Sequence, residues 1–339
     1  MSRMADLERI KKGPDVSEAT VGVMSGRRLR LSLSTITLLV VVLLVESFFF
    51  SVRSPYFLNW DNWLNILTAA AIIGILAAPG TALLITRQFD LSVGSGVAFV
   101  GAVLAIVASR YGLAAGVGAG ILAGLALGVI NGFLVTVVEV NALITTLGTL
   151  AAFRGLTEVF LSGHTVILSG FSGLGTARAG PDVPVPVLIA IAVALAFWFM
   201  MRYTTYGRSL YAIGANPVAA RLVGIRSGRR VFVVFLMSGA AIALGGLVNA
   251  SQLGAASPIT ALGLELSVIT AVVLGGTSLA GGRGSIEGTM VGLVVVSVLN
   301  NGMVLMNVDP FWQDVARGAL LIAAVAFDRV TAKFTGLER

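Results

Sequence analysis

The chain has no cysteine, a single histidine and only three lysines among 339 residues. Without cysteine there is no disulfide, no thiol nucleophile and no thiolate metal ligand, and the redox compartment stays open. One histidine, His164, excludes a histidine-rich metal site. Lys11, Lys12 and Lys333 stand outside any G-x-x-x-x-G-K-[ST] context, so the chain holds no P-loop for ATP. The run Gly275 to Ser285 is glycine-rich, but it lies between two apolar segments, where it reads as a tight turn rather than a phosphate cradle. No carboxylate pair stands near the histidine to suggest hydrolysis. The reading is therefore a non-enzyme with no metal and no cofactor of its own. Charge is scarce as well: 12% of residues are charged, where a soluble domain carries about 25%.

What fills the chain instead is apolar sequence, at 57% of residues. Runs of about 20 apolar residues recur, each long enough to cross a bilayer as a helix. Short alternating segments, the mark of a β-barrel, are missing. The fold class is an all-α polytopic membrane protein with about ten transmembrane helices. The expected spans are 32–50, 63–86, 92–109, 112–135, 139–160, 185–201, 229–250, 263–280, 286–306 and 312–328. Residues 1–31 read as an N-terminal arm, 32–330 as the membrane domain and 331–339 as a tail. The first apolar run follows Arg27, Arg28 and Arg30 but lacks a small-residue cleavage site, so it reads as a retained span.

The longest polar interruption runs from Arg202 to Arg230. It holds six arginines and no acidic residue. Basic residues beside spans stay on the cytoplasmic side, so residues 202–228 read as a cytoplasmic loop. Ten spans then place the arm, this loop and the tail on one side, with both termini cytoplasmic. The formal charge of +7 is explained by this sorting and by anionic lipid, and requires no nucleic acid. Within the loop, short amphipathic helical turns are expected around Gly214-Ala215-Asn216-Pro217. The loop reads either as a dock for a cytosolic partner or as a topogenic charge cluster.

Span 4 carries Gly112, Gly116, Gly120, Gly124, Gly128 and Gly132. Small residues at spacing four let helices approach closely in lipid. Each step of four advances about 40° around the helix, so the stripe winds, and the helix should be packed on several sides. Asn131-Gly132 at the end of span 4 and Asn301-Gly302 at the end of span 9 each precede a polar break and another span. That pairing suggests a 5+5 inverted repeat.

Intramembrane ionisable residues are few. Glu46, Asp90, Arg154, Glu158 and Glu265 stand mostly near span ends, which counts against an ion-coupled carrier. A neutral path suits an uncharged polar solute. The candidates for lining it are Pro79 and Gly80, expected to break span 2, with Thr145, Thr146, Thr149, Asn300 and Asn301. The alternative is that the threonines bond their own helix and face other helices.

Four stretches together carry a resemblance: FDLSVGS at 89–95, LITTLGTLAAFRG at 143–155, YGRSLYAIGANPVAARLVGI at 206–225 and LELSVITAVVLGGTSLAGGRGS at 264–285. In this order the chain resembles the membrane subunit of the bacterial ribose/xylose/arabinose/galactose class of ABC importers. The resemblance implies a permease in the inner membrane that works as a homodimer. It further implies a cytosolic ATPase subunit docked on the 202–230 loop and an extracytoplasmic sugar-binding protein. The family's loop motif falls on Gly207, Arg208, Ala212, Gly214, Asn216, Ala219, Ala220, Arg221 and Gly224, which are implied as the coupling element. Arg87-Gln88, Asn141-Ala142 and Ser267 depart from the usual pattern and leave the solute open. A nucleoside or furanone signal stands as the alternative cargo.

Overall fold

The computed structural model describes residues 35–180 and 183–334. The arm at 1–31, the last five residues of the expected tail, and Asp182 lie outside the described residues. The main elements, in chain order, are α1 (Thr35–Arg53), α2 (Trp60–Ile85), α3 (Val93–Tyr111), α4 (Leu113–Thr136) and α5 (Ala142–Leu161). A short irregular segment follows: β1 (Val166–Ile167), α6 (Gly173–Thr176), β2 (Arg178–Ala179) and β3 (Val183–Pro184). Next come α7 (Val185–Tyr203), α8 (Thr205–Ala215), α9 (Pro217–Leu222) and α10 (Ser227–Leu253). The chain closes with β4 (Ala255–Ala256), α11 (Leu264–Leu274), α12 (Ile286–Leu305) and α13 (Pro310–Phe334). β1 pairs with β4, and β2 with β3, both antiparallel.

The chain is an all-α multi-pass membrane protein, but the count of ten spans needs correcting. Among the described residues, seven helices are long and apolar enough to cross a membrane: α1, α2, α3, α4, α7, α10 and α12. α5 has the length but carries Arg154 and Glu158. α13 is longer still but carries several charges. The expected span 263–280 is only 11 helical residues, about 16 Å. It ends at Gly275 because Gly276 takes a positive φ of 87° and the chain turns. α13 also runs through Phe334, past the expected start of the tail.

The glycine stripe of α4 winds from one neighbour to another. A Cβ on Gly116 would meet Ala108 of α3 at 2.7 Å, and one on Gly124 would meet Ala243 of α10 at 2.6 Å. A Cβ on Gly128 would meet the Phe235 carbonyl at 2.5 Å and Gly239 Cα at 2.9 Å. Backbone therefore lies on backbone where α4 crosses α10. The two run antiparallel, since Gly132 lies by Phe232 and Gly120 by Leu247.

α2 is the most enclosed helix. It packs on α7, α10, α11 and α12, and it runs unbroken through Pro79. The expected break at Pro79-Gly80 is thus absent. Pro79 has no N–H for the Ile75 carbonyl, and the helix continues through it with α7, α10, α11 and α12 packed around it. α2 and α12 are also antiparallel. Thr81 meets Thr289 at 2.8 Å near one end, and Asn62 and Asn301 exchange amide hydrogen bonds of 3.0 and 2.9 Å near the other.

Candidate functional site

The segment after α7 folds as two short helices with a sharp corner. Thr204 caps α8, its hydroxyl accepting from Gly207 N at 3.1 Å. Asn216 ends α8 and caps α9, its side chain accepting from Val218 N and Ala219 N at 3.0 Å each. Pro217 at the first position of α9 has no N–H to leave unpaired, so Asn-Pro fixes the corner. The inward side of this unit is closed: Gly207, Leu210, Ile213, Gly214 and Ala220 are buried. Arg208, Asn216, Ala219, Arg221, Val218, Leu222 and Val223 are exposed, so α9 presents apolar side chains and cations together. Ala212 is half-buried, and Gly224 takes a φ of 82° where the chain turns towards α10.

This unit is joined to the membrane helices through main-chain groups. Arg87 Nε donates to the Gly214 carbonyl at 2.7 Å and Arg87 Nη2 to the Ala215 carbonyl at 3.1 Å. A cation on the last carbonyls of α8 also suits the negative end of that helix. Gly282 N donates to the Ile85 carbonyl at 2.8 Å. A Cβ on Gly214 would run into the Ile85 carbonyl and Gly282 N, so no larger residue fits. Tyr211 donates to the Gly284 carbonyl at 2.9 Å, and Tyr206 donates to the Arg230 carbonyl at 2.7 Å. Burial raises both phenols, Tyr206 to about 12, so both keep the proton they donate. The ends of α2, α8 and the glycine loop 275–285 thus form one joint. Arg87 was absent from the sequence candidates. Its partners are carbonyls 127 and 128 residues away, which no local motif announces.

Above the joint, donors converge on Asp90, just before α3. Ser92 donates to Asp90 Oδ1 through its N–H at 3.1 Å and its hydroxyl at 2.6 Å. Ser238 of α10 donates to Oδ2 at 2.8 Å. Asn131 of α4 donates to Ser92 Oγ at 2.8 Å, and Thr149 of α5 donates to Asn131 Oδ1 at 2.9 Å. The chain of donors Thr149, Asn131, Ser92 links α5 and α4 to the Asp90 carboxyl just before α3. Close by, the start of α3 meets the start of α11. A Cβ on Gly94 would strike the Glu265 carboxylate and approach the Ala261 carbonyl at 2.8 Å. Arg154 of α5 donates to the Pro258 and Thr260 carbonyls at 2.7 and 2.8 Å, pinning the segment before α11.

The pathway candidates do not form one lining. Thr145, Thr146 and Thr149 are buried within the protomer, and Thr146 donates to the Ala142 carbonyl at 2.8 Å. The exposed face of α5 is instead Leu143, Ile144, Leu147, Gly148, Ala151 and Gly155. Pro79 is buried, while Gly80 borders a cavity of about 20 Å³ with Asp90 and Ser238, room for about one water. Asn301 is held by Asn62. Thr145 Oγ1 and Asn300 Oδ1 are buried without a hydrogen-bond partner among the described residues.

Residues 62–325 match the family described as the branched-chain amino acid transport system permease component. The L-arabinose transport system permease protein AraH of Escherichia coli (strain K12) is 39% identical over 282 residues, covering 82% of this chain and 86% of that protein. The ribose import permease protein RbsC of the same organism is 37% identical over 324 residues, covering 91% and 98%. RbsC of Bacillus subtilis (strain 168) is 38% identical over 288 residues, covering 82% and 88%. No solved structure matches at a significant level.

Proposed function

The chain belongs to the family of permease components of the branched-chain amino acid transport system, and from that premise we propose that it carries a ribose- or arabinose-type sugar into the cell. It is the membrane subunit of an ABC importer and not an enzyme. The observation that carries the cargo class is the match to a ribose import permease across nearly its whole length. ATP hydrolysis falls to a separate cytosolic ATPase, an extracytoplasmic binding protein delivers the sugar, and a second copy of the chain completes the path. The chain sits in the inner membrane with both termini cytoplasmic.

The docking surface is the outer side of α8 and α9, with Gly207, Arg208, Ala212, Gly214, Asn216, Ala219, Ala220, Arg221 and Gly224 as its framework. Movement of the ATPase is passed through Arg87 and the Gly214–Ile85 contact to α2, and through Tyr211 to the loop joining α11 and α12. The path opens alternately to each side as these helix ends shift. For the polar groups that meet the sugar, Thr145 and Asn300 come first because their oxygens are unpaired. Thr146, Thr149, Asn301, Pro79 and Gly80 stand behind them.

The two halves are read as an inverted five-helix repeat with α2, α3, α4 and α5 matched to α10, α11, α12 and α13. Three features support it. α3 packs on α4 and α5 as α11 packs on α12 and α13, and the antiparallel pairs α4–α10 and α12–α2 exchange under the match. The turns before α5 and α13 share their chemistry. Glu139 and Asn307 take φ values of 62° and 56°, and Asn141 and Asp309 then accept from the N–H two residues on. α1 and α7 depart from the match, α1 packing on α12 and α7 on α2.

The test is reconstitution of the chain with its ATPase and binding protein in liposomes. Uptake of labelled ribose or arabinose that requires ATP is the expected result. Uptake of a nucleoside alone would overturn the cargo, and uptake driven by an ion gradient without ATP would overturn the class.

A further inference from the structure

A groove of about 690 Å³ runs along the outside of the protomer between α2, α7 and α12. Its walls are apolar, with Leu67, Ala70, Ile191, Leu195, Met290 and Leu293 among them. On α7 it reaches from Val187 to Tyr203, about 24 Å at 1.5 Å per residue, most of a hydrocarbon core of about 30 Å. At one end the character changes. Trp198, Arg202, Ile286 and Glu287 line both the groove and an adjoining pocket of about 330 Å³ that also holds Arg208 and Tyr211. Trp198 Nε1 donates to Glu287 Oε1 at 2.6 Å, and Arg202 Nη1 stands 3.5 Å from the same oxygen. Two guanidinium groups against one carboxylate leave the pocket with a positive excess. Trp198 and Tyr203 mark this end as the level of the headgroups, where such rings collect.

The chemistry selects the occupant: the long apolar stretch suits an acyl chain, and the polar end, with two guanidinium groups against one carboxylate, suits an anionic headgroup. We infer that the groove and its polar end form a binding site for one anionic phospholipid of the cytoplasmic leaflet, with an acyl chain between α2, α7 and α12 and the phosphate beside Arg202. The inference rests on the orientation proposed above, in which α8 is cytoplasmic. A lipid held there touches α7, which leads directly into α8, and would tie the coupling unit to the composition of the leaflet.

The experiment is native mass spectrometry of the assembled importer, delipidated and then offered phosphatidylglycerol or phosphatidylcholine. The intact protein retains phosphatidylglycerol in preference. Arg202→Gln lowers that preference about fivefold, the worth of one interfacial cation, while still holding lipid. Ile191→Trp, at an exposed position of the groove wall, loses both lipids; Leu195→Trp serves in its place if that variant does not assemble. An unchanged preference in Arg202→Gln, or undiminished lipid in the tryptophan variant, overturns the site. A disulfide between two copies through Ile191→Cys overturns it too, by making the groove a contact between protomers. Labelling of Thr205→Cys in inside-out and right-side-out vesicles checks the orientation alone, so a wrong orientation and an absent lipid site give different results.

Discussion

Replacing Gly128 with alanine adds one methyl group where no space exists for it. Its Cβ would lie 2.5 Å from the Phe235 carbonyl oxygen and 2.9 Å from Gly239 Cα. Ordinary contact begins near 3.4 Å, and both obstacles are backbone, so α4 and α10 must separate by most of 1 Å. Overpacking of this kind costs about 1–3 kcal/mol. The reciprocal change, Gly239→Ala, meets Gly124 O at 2.5 Å and Gly128 Cα at 2.7 Å, so it demands the same separation. Once one variant has parted the helices, the second adds little. The double variant should therefore cost clearly less than the sum of the singles, a coupling of about 1 kcal/mol or more. Gly118 is the control. It lies on the same helix, is exposed, and a Cβ there meets nothing within 4 Å, so Gly118→Ala should be neutral or stabilising by up to about 1 kcal/mol through helix propensity alone. The measurement is denaturant or thermal unfolding of the purified permease in one detergent. Additive costs at 128 and 239, or a Gly128→Ala protein as stable as Gly118→Ala, would refute the close-crossing argument.

Arg87→Ala removes two bonds to the end of α8 and should cost about 1–2 kcal/mol, at the low end because the guanidinium is exposed; sugar-stimulated ATP hydrolysis should fall while membrane insertion stays normal. Gly214→Val should abolish that stimulation, and an intact complex with normal stimulation would disprove the joint. Asp90→Ala strands Ser92 and Ser238 without their acceptor and should destabilise the bundle by about 2–4 kcal/mol, read as a lower unfolding midpoint, with Asp90→Asn intermediate. Thr145→Cys, in a chain with no other thiol, should react with a water-soluble reagent at a rate that changes when nucleotide is trapped on the ATPase; an inert thiol in every state removes Thr145 from the path.

Much of the fold was written in the sequence because lipid makes local composition decisive. The ends of α3, α4, α7 and α12 fall within two residues of expectation, since each is a long apolar run closed by glycine or polar residues. The α4 glycines announced their own packing, because spacing alone determines how a stripe moves around a helix. The errors share one cause. Pro79 looked like a break, and 263–280 like a full span, because a sequence shows what a segment tolerates and not what surrounds it. α2 keeps its helix through the proline under pressure from four neighbours, and α11 stops at Gly275 because the chain must turn there to reach the joint. Among the α5 threonines, Thr146 bonds the Ala142 carbonyl and Thr149 bonds Asn131, while Thr145 Oγ1 has no partner among the described residues, a distinction that composition does not show. The Asp90 cluster and Arg87 were illegible because their partners come from four separate segments.

The joint beneath α8 is built from carbonyls and amide hydrogens of Ile85, Gly214, Ala215, Gly282 and Gly284, with two side chains, Arg87 and Tyr211, reaching across. Backbone groups are the same in every sequence. In the proposed dock, the exposed Val218 and Leu222 of α9 and Val223 just after it can therefore vary to suit a different ATPase without changing these contacts. Under the proposed coupling, the choice of motor and the choice of cargo are free to evolve as separate traits around this glycine-rich joint.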